Sequence, residues 1–344
     1  MKRPPVFPLL AAMAVAPLAT PVAAPLAATA AATGPGTGPS AGPTAANALA
    51  SAPARSPADA PATATPSAER RIGTPAGELH VREAGRGSTP LLLWHALYAQ
   101  PAMFDALVEQ LGADYRLLLV TAPGHGASAL PAAPLTSAAA GAAVLAVLDA
   151  YGIERAAVLG CSWGGIAGLQ AALQAPRRIA AVAAFNTPLG PGATDIGSRA
   201  IVWMTGWLGD TPFFGRRVAS EFFAERTRAL QPELVERFVA GFPGRDPRRL
   251  QVAARAVLLE RDSLLPLLPQ LQVPVLVVSG AEDSRYPAVE AEQIARTIPN
   301  ARFVRVADSA HLTPLEQPAI AAQLVRDLVP TQPAAAGEPA PAGR

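Results

Sequence analysis

Ala156-Ala157-Val158-Leu159-Gly160-Cys161-Ser162-Trp163-Gly164-Gly165 is a short apolar run that stops abruptly in Gly-x-Ser-x-Gly. The run has the length and unbroken hydrophobicity of a strand covered on both faces. The residues that follow, 165–173, are rich in small side chains and suit a helix. A strand that turns sharply into a helix over this pattern is a nucleophile elbow, with the serine at the tip and its hydroxyl exposed. The flanking glycines suit a turn whose strained backbone leaves no room for side chains. Gly164, Gly165 and Gly168 also let the helix lie close to the sheet. The pattern alone is weak and equally describes a Gly-Ser turn between buried elements, so its surroundings decide.

Those surroundings alternate strand and helix from about Arg70 to Pro330. Residues 78–83 read as an early strand after a Gly-Thr-Pro-Ala-Gly turn. Residues 91–94 are a continuous apolar run and 116–120 are another apolar strand, and 179–185, 274–279 and 301–306 read as further strands. Helical spacing marks 102–111, with Met103, Leu107 and Leu111 on one face, and 137–151, with Gly152 as a C-cap. A helix over 318–328 closes the pattern. Such alternation implies a mostly parallel sheet flanked by helices on both faces. The exception is a stretch of almost ninety residues between Phe185 and Pro274 with no clear strand. It reads as helices over 198–208, 213–230, 232–242 and 247–260, a helical lid insertion at about 190–270. It holds Trp203, Trp207, Phe213, Phe214, Phe222, Phe223, Phe238 and Phe242. Most of these should pack the lid onto the body. Two or three of them lining an apolar tunnel would favour a substrate with an apolar portion.

The 344 residues, half of them hydrophobic, are ample for one α/β domain, placed at 69–330. The net charge of +2 is spread thinly, without basic runs, which argues against nucleic acid as a partner. A single cysteine, Cys161, excludes an intrachain disulfide and any Cys-rich metal site. Residues 1–67 differ in kind, with 13 of the 37 prolines and only Lys2, Arg3, Arg55 and Asp59 charged. A basic start, an apolar run over 6–19 and small residues at Ala28-Thr29-Ala30 read as a signal peptide over 1–30, hence export to the periplasm or beyond. The competing reading is a low-complexity extension, with the protein left in the cytoplasm. Pro8 and Pro17 break the run, which is too short for a membrane span. Residues 31–68 read as a disordered Ala/Pro-rich linker and 331–344 as a disordered tail.

The chain resembles the α/β-hydrolases, close to their lidded esterase, enol-lactonase and cofactor-free haloperoxidase branch. The resemblance rests on His95-Ala96-Leu97, Pro123-Gly124-His125-Gly126-Ala127-Ser128, Gly160-Cys161-Ser162-Trp163-Gly164-Gly165, Gly280-Ala281-Glu282-Asp283, and Ala310-His311-Leu312 before Glu316-Gln317-Pro318. It implies the α/β-hydrolase fold and a Ser–Asp–His triad in that chain order. Ser162 would be the nucleophile, and needs a base to take its proton. His311 is the best base of the four histidines, since it follows the last strand at the carboxyl edge of the sheet. His125 and His95 are expected to support loops, and His80 lies early in the sheet. Asp283, just past the strand ending at Ser279, matches the family's acid position. Glu282 and, less attractively, Asp195 are the alternatives. The resemblance also implies an oxyanion hole from the backbone N–H groups of Trp163 and Leu97.

Two positions depart from the family. Ala96 stands where glycine is usual, and a Cβ resists φ > 0, so the Leu97 donor would be misaimed if the loop needs that conformation. Thr121 replaces the aspartate that usually opens the Pro-Gly-His-Gly loop. Cys161 is expected to be small buried filler. No metal-binding cluster and no cofactor are expected. The activity implied is hydrolysis of a small carboxylic ester or lactone by a serine hydrolase, through an acyl-enzyme on Ser162. Alternatives with the same triad are an acyltransferase, a perhydrolase or a C–C bond hydrolase. The non-enzymatic alternative is a binding module with an idle triad.

Overall fold

The computed structural model describes residues 68–331. The expected signal peptide, nearly all of the expected linker, and the tail beyond Thr331 lie outside the described residues. Strands β1 (Glu69–Thr74), β2 (Gly77–Ala84), β3 (Thr89–Trp94), β4 (Tyr115–Val120), β5 (Ala156–Cys161), β6 (Ile179–Phe185), β7 (Val275–Gly280) and β8 (Ala301–Val306) form one sheet. Their order is β1-β2-β4-β3-β5-β6-β7-β8. The first two strand pairings are antiparallel and every later one is parallel.

The apolar runs become the central strands because each strand residue serves one of two cores. Leu92, Trp94 and Val158 face one layer, and Leu91, Leu93, Leu159 and Cys161 face the other. The first layer is covered by α2 (Ser137–Ala150), α3 (Trp163–Gln174) and α9 (Ala288–Ala295). The second is covered by α1 (Asp105–Leu111) and α11 (Pro318–Leu328). Thr136 caps α2 by accepting the Ala139 N–H, and Gly152, at φ 63°, follows its end. Strand β1 has no counterpart in the sequence reading. Only Ile72 of its six residues is buried, so no alternation betrays it, and it is held by register with β2 (Ile72 opposite Leu79).

Five α-helices and a 3₁₀ helix (Leu265–Gln270) separate β6 from β7, the α-helices being α4 (Ile196–Leu208), α5 (Pro212–Phe222), α6 (Glu225–Leu230), α7 (Pro232–Ala240) and α8 (Pro247–Leu258). The helix expected over 213–230 is therefore two. Phe223 and Ala224 are extended between them. Phe223 is buried in the second core layer, which stabilises by about 1.5–3 kcal/mol. The Glu316 carboxylate accepts the Ala224 N–H at 2.8 Å and the Thr227 hydroxyl at 2.7 Å. Together these outweigh the helical hydrogen bonds given up, at about 1 kcal/mol each. Among the described residues no helix is long and apolar enough to cross a membrane.

Candidate active site

The chain leaves β3 for β4 on one side and then crosses to β5 on the other, so the strand order reverses at β3. Open α/β sheets bind ligands at such a reversal, beyond the carboxyl ends of the strands. Ser162 follows β5 there. Its backbone stands at φ 53° and ψ −112°, outside the regions a serine adopts freely. Such strain costs about 1–3 kcal/mol and persists only where the surroundings fix it. Here the Ser162 N–H donates to Phe185 O at 2.7 Å and its carbonyl accepts from Gly165 at 3.0 Å. The glycines are obligatory: a Cβ on Gly160 would lie 2.0 Å from Gly164 carbonyl carbon, and one on Gly164 would lie 2.0 Å from Trp94 O. The side chain at 162 borders a cavity that His311 and Leu97 also line.

His311 lies in the loop between β8 and the short helix α10 (Thr313–Glu316). Its Nδ1 is 3.0 Å from Asp283 Oδ2, and both side chains are almost fully buried. Asp283 is held from every side. Asn186 Nδ2 donates to Oδ2 at 2.9 Å, and the Arg285 and Tyr286 N–H groups donate to Oδ1 at 3.0 and 3.1 Å. The neighbouring acids are engaged elsewhere. Glu282 accepts the Glu225 N–H at 2.8 Å, and Asp195 caps α4 by accepting from Ser198. The imidazole stacks near Phe222, with ring centroids 4.7 Å apart, and the His311 N–H donates to Phe222 O. Cys161 is buried, its sulfur 3.5 Å from the His311 carbonyl oxygen, and burial pushes its thiol well above the ordinary range.

The loop after β3 does not require a glycine conformation at Ala96. Its left-handed residue is Tyr98, at φ 67°. Two histidines hold this turn. His95 Nε2 accepts the Ala122 N–H at 2.9 Å, which leaves Nδ1–H to donate to Ala96 O at 2.8 Å. His125 Nε2 accepts the Tyr98 N–H at 3.2 Å, and its Nδ1–H donates to Pro123 O. Burial holds His95 neutral, its pKa lowered to about 4, and depresses His125 likewise. From the other side, Arg245 Nη1 donates to Tyr98 O at 2.8 Å while its guanidinium covers the Phe242 ring at 4.0 Å. Tyr98 OH meets Thr205 Oγ1 of α4 at 2.8 Å. Thr121, where the family has aspartate, is tied to β2 instead, its N–H donating to His80 O at 2.9 Å.

Of the eight aromatics in the insertion only Phe222 borders the cavity, so the expectation of two or three is corrected. Phe214, Phe223 and Phe242 are buried in the cores, and Trp203, Trp207 and Phe213 face outward. The insertion's other apolar contributions to the wall are aliphatic, from Ile201 of α4, Val218 of α5 and Val257 and Leu258 of α8. Among the described residues no group of three or more His, Cys, Asp or Glu side chains is placed to hold a metal ion.

The family model described as alpha/beta hydrolase fold matches residues 89–318. The chain is an α/β-hydrolase. It is 26% identical over 235 residues to 3-oxoadipate enol-lactonase 2 of Acinetobacter baylyi, covering 68% of this chain and 86% of that one. Among solved structures it is similar to an esterase from Thermogutta terrifontis, with 26% identity and a TM-score of 0.69 over 76% of this chain and 97% of that one. It is also similar to the enol-lactonase from Burkholderia xenovorans, with 25% identity and a TM-score of 0.69 over 75% and 99%. Beyond the residues its sequence pointed to, this α/β-hydrolase brings Asn186, Tyr98 and Arg245 to the site. Asn186 had a local signal, a polar residue directly after an unbroken apolar strand. The others had none.

Proposed function

We propose that this α/β-hydrolase cleaves a carboxylic ester or lactone through an acyl-enzyme on Ser162. The observation that carries the reading is the buried Asp283–His311 hydrogen bond, with Ser162 on the strained elbow of the same cavity. Asp283 takes His311 Nδ1–H, which leaves Nε2 to accept the Ser162 proton as Oγ attacks the carbonyl. The developing oxyanion is met by the N–H of Trp163, one of the first helical donors of α3 with no acceptor a turn back, and by the N–H of Leu97. His311 then passes its proton to the leaving alcohol, and water repeats the sequence in reverse. The helices from α4 to α8 act as a lid, and its aliphatic wall suits a substrate with an apolar portion.

The direct test is a fluorophosphonate probe. Stoichiometric labelling at Ser162, read by peptide mass spectrometry, together with release of p-nitrophenol from short acyl esters, is the expected result. A folded protein that takes up no probe and cleaves no ester leaves a binding module with an idle triad.

Arg245 gives a second expectation, because it fixes the loop that aims the Leu97 donor without touching the cavity. Methionine at 245 keeps the packing on Phe242 and removes the bond to Tyr98 O. The rate should fall about 10- to 100-fold, the scale of a small misplacement in an active site. The loss should appear in kcat with KM nearly unchanged, since the donor matters mainly in the transition state. A change confined to KM would place Arg245 in substrate binding instead.

A further inference from the structure

Arg285 borders the same cavity as Ser162 and His311. Its backbone is fixed, with the N–H bound to Asp283 Oδ1 at 3.0 Å. Its side chain is half-buried, and among the described residues the guanidinium makes no ion pair and no hydrogen bond. The charge is felt inside the pocket. Burial raises the Tyr98 phenol, and the Thr205 hydrogen bond and the Arg285 charge oppose it. Despite the cost of burial, Ser198 and the same charge hold the Asp195 carboxyl below its usual range.

The other charges on the cavity cancel. Arg217 and Glu221 pair with each other at 2.7 Å, one helical turn apart. Asp195, whose carboxylate feels the Arg285 charge, takes its hydrogen bonds from the Ser198 N–H and hydroxyl at the start of α4 and not from the guanidinium. The cavity is thus left with one cation whose hydrogen-bond donors are unused, beside aliphatic side chains and the rings of Tyr98, Phe222 and Tyr286. A guanidinium in such a place is costly unless it meets an anion, and its planar fork matches a carboxylate with two parallel hydrogen bonds.

We infer that Arg285 is a specificity-determining residue that receives a carboxylate carried by the substrate, so that the pocket takes acidic esters or lactones with a free carboxylate besides the group cleaved. The inference rests on the hydrolase reading above and names its substrate class. The Arg285 side chain takes no part in the acyl transfer itself: it holds the far end of the molecule.

The test uses the full chain and two esters that differ in one methyl group, mono-p-nitrophenyl adipate and its methyl-capped analogue. The wild type should show a kcat/KM at least about tenfold higher for the acid, since a charge-assisted hydrogen bond discriminates by about 10- to 100-fold. In Arg285→Gln the acid-to-neutral ratio should collapse towards one, in Arg285→Lys it should fall part of the way, and in the wild type it should shrink with added salt. No preference in the wild type, or an equal loss on both esters in Arg285→Gln, overturns the inference. Inhibition separates the anions: adipate should compete in an Arg285-dependent way, and stronger competition by butyl phosphate would overturn the assignment to a carboxylate. If neither ester is cleaved and the probe does not label Ser162, the hydrolase reading has failed on its own. Calorimetric titration with adipate then decides the inference, which survives if binding is seen and is lost in Arg285→Gln, and falls if adipate does not bind.

Discussion

Replacing Ser162 by alanine is expected to lower kcat for ester hydrolysis by about 10⁴-fold or more, and His311→Ala should do the same. The double variant should be no worse than either single one, because nucleophile and base act as a unit. Alanine at 162 keeps the Cβ that already occupies the strained turn, so the fold and its hydrogen bond to Phe185 are retained. Asp283→Asn should be as damaging as losing the base, at about 10⁴-fold, for a reason visible in its partners. Each oxygen of Asp283 faces two donors: His311 and Asn186 on one side, the Arg285 and Tyr286 N–H groups on the other. An amide nitrogen placed on either side meets donors only. Turned towards His311, it forces the proton onto Nε2, where the imidazole can no longer accept from Ser162. Turned towards the backbone, it loosens the loop that carries Arg285. Initial rates on a p-nitrophenyl ester, with circular dichroism to confirm folding, check all four variants. Retention of even one per cent activity in a folded Ser162→Ala would remove Ser162 from the chemistry.

This arrangement was partly readable from the chain, and the boundary is physical. Strands β3, β5 and β7 are covered on both faces, so their hydrophobicity is continuous and their carboxyl ends can be located to within a residue or two. Ser162 and Asp283 follow from two of those ends, and His311 lies in the loop after β8, the last strand. What escaped depends on partners far apart in sequence. The break between α5 and α6 is set by Glu316, 92 residues from Ala224. The Tyr98 turn is held by Arg245, 147 residues away. Asn186 reaches Asp283 across 97 residues. Each of these is a polar group satisfying a backbone or carboxylate that would otherwise be buried alone, and neither periodicity nor motif spacing records such a match. The worry over Ala96 failed for the related reason that the left-handed residue of a loop is chosen by what the loop is tied to. With His125 accepting the Tyr98 N–H, the positive φ falls two residues later than the glycine in the family pattern.

The same histidines make the fold sensitive to acid. His95 is fully buried, and burial foremost, with the Arg245 charge adding to it, lowers its pKa from 6.5 to about 4. Between those values the unfolded chain binds a proton that the native state refuses, so unfolding becomes easier as pH falls. The contribution of neutral His95 is fully present above pH 6.5 and is lost progressively towards pH 4. For this one group the loss is about 2 kcal/mol between pH 7 and pH 5 and about 3 kcal/mol by pH 4. His125 lies 5.1 Å away, ring to ring, and its pKa is depressed by burial and by His95, so it steepens the slope. The site of failure is specific. A proton on His95 Nε2 would point at the Ala122 N–H, donor against donor, and break the bond that ties the loop after β3 to the turn after β4. That loop carries the Leu97 donor, so the oxyanion hole should loosen before the sheet does. Urea unfolding of the wild type at pH 7 and pH 5 should show the fall in stability. Glutamine at 95 donates and accepts but does not titrate, so His95→Gln should begin less stable at pH 7 and lose about 2 kcal/mol less on acidification. Equal losses in the two proteins would move the acid sensitivity away from this loop, and with it the expectation that hydrolysis fails in acid before the fold does.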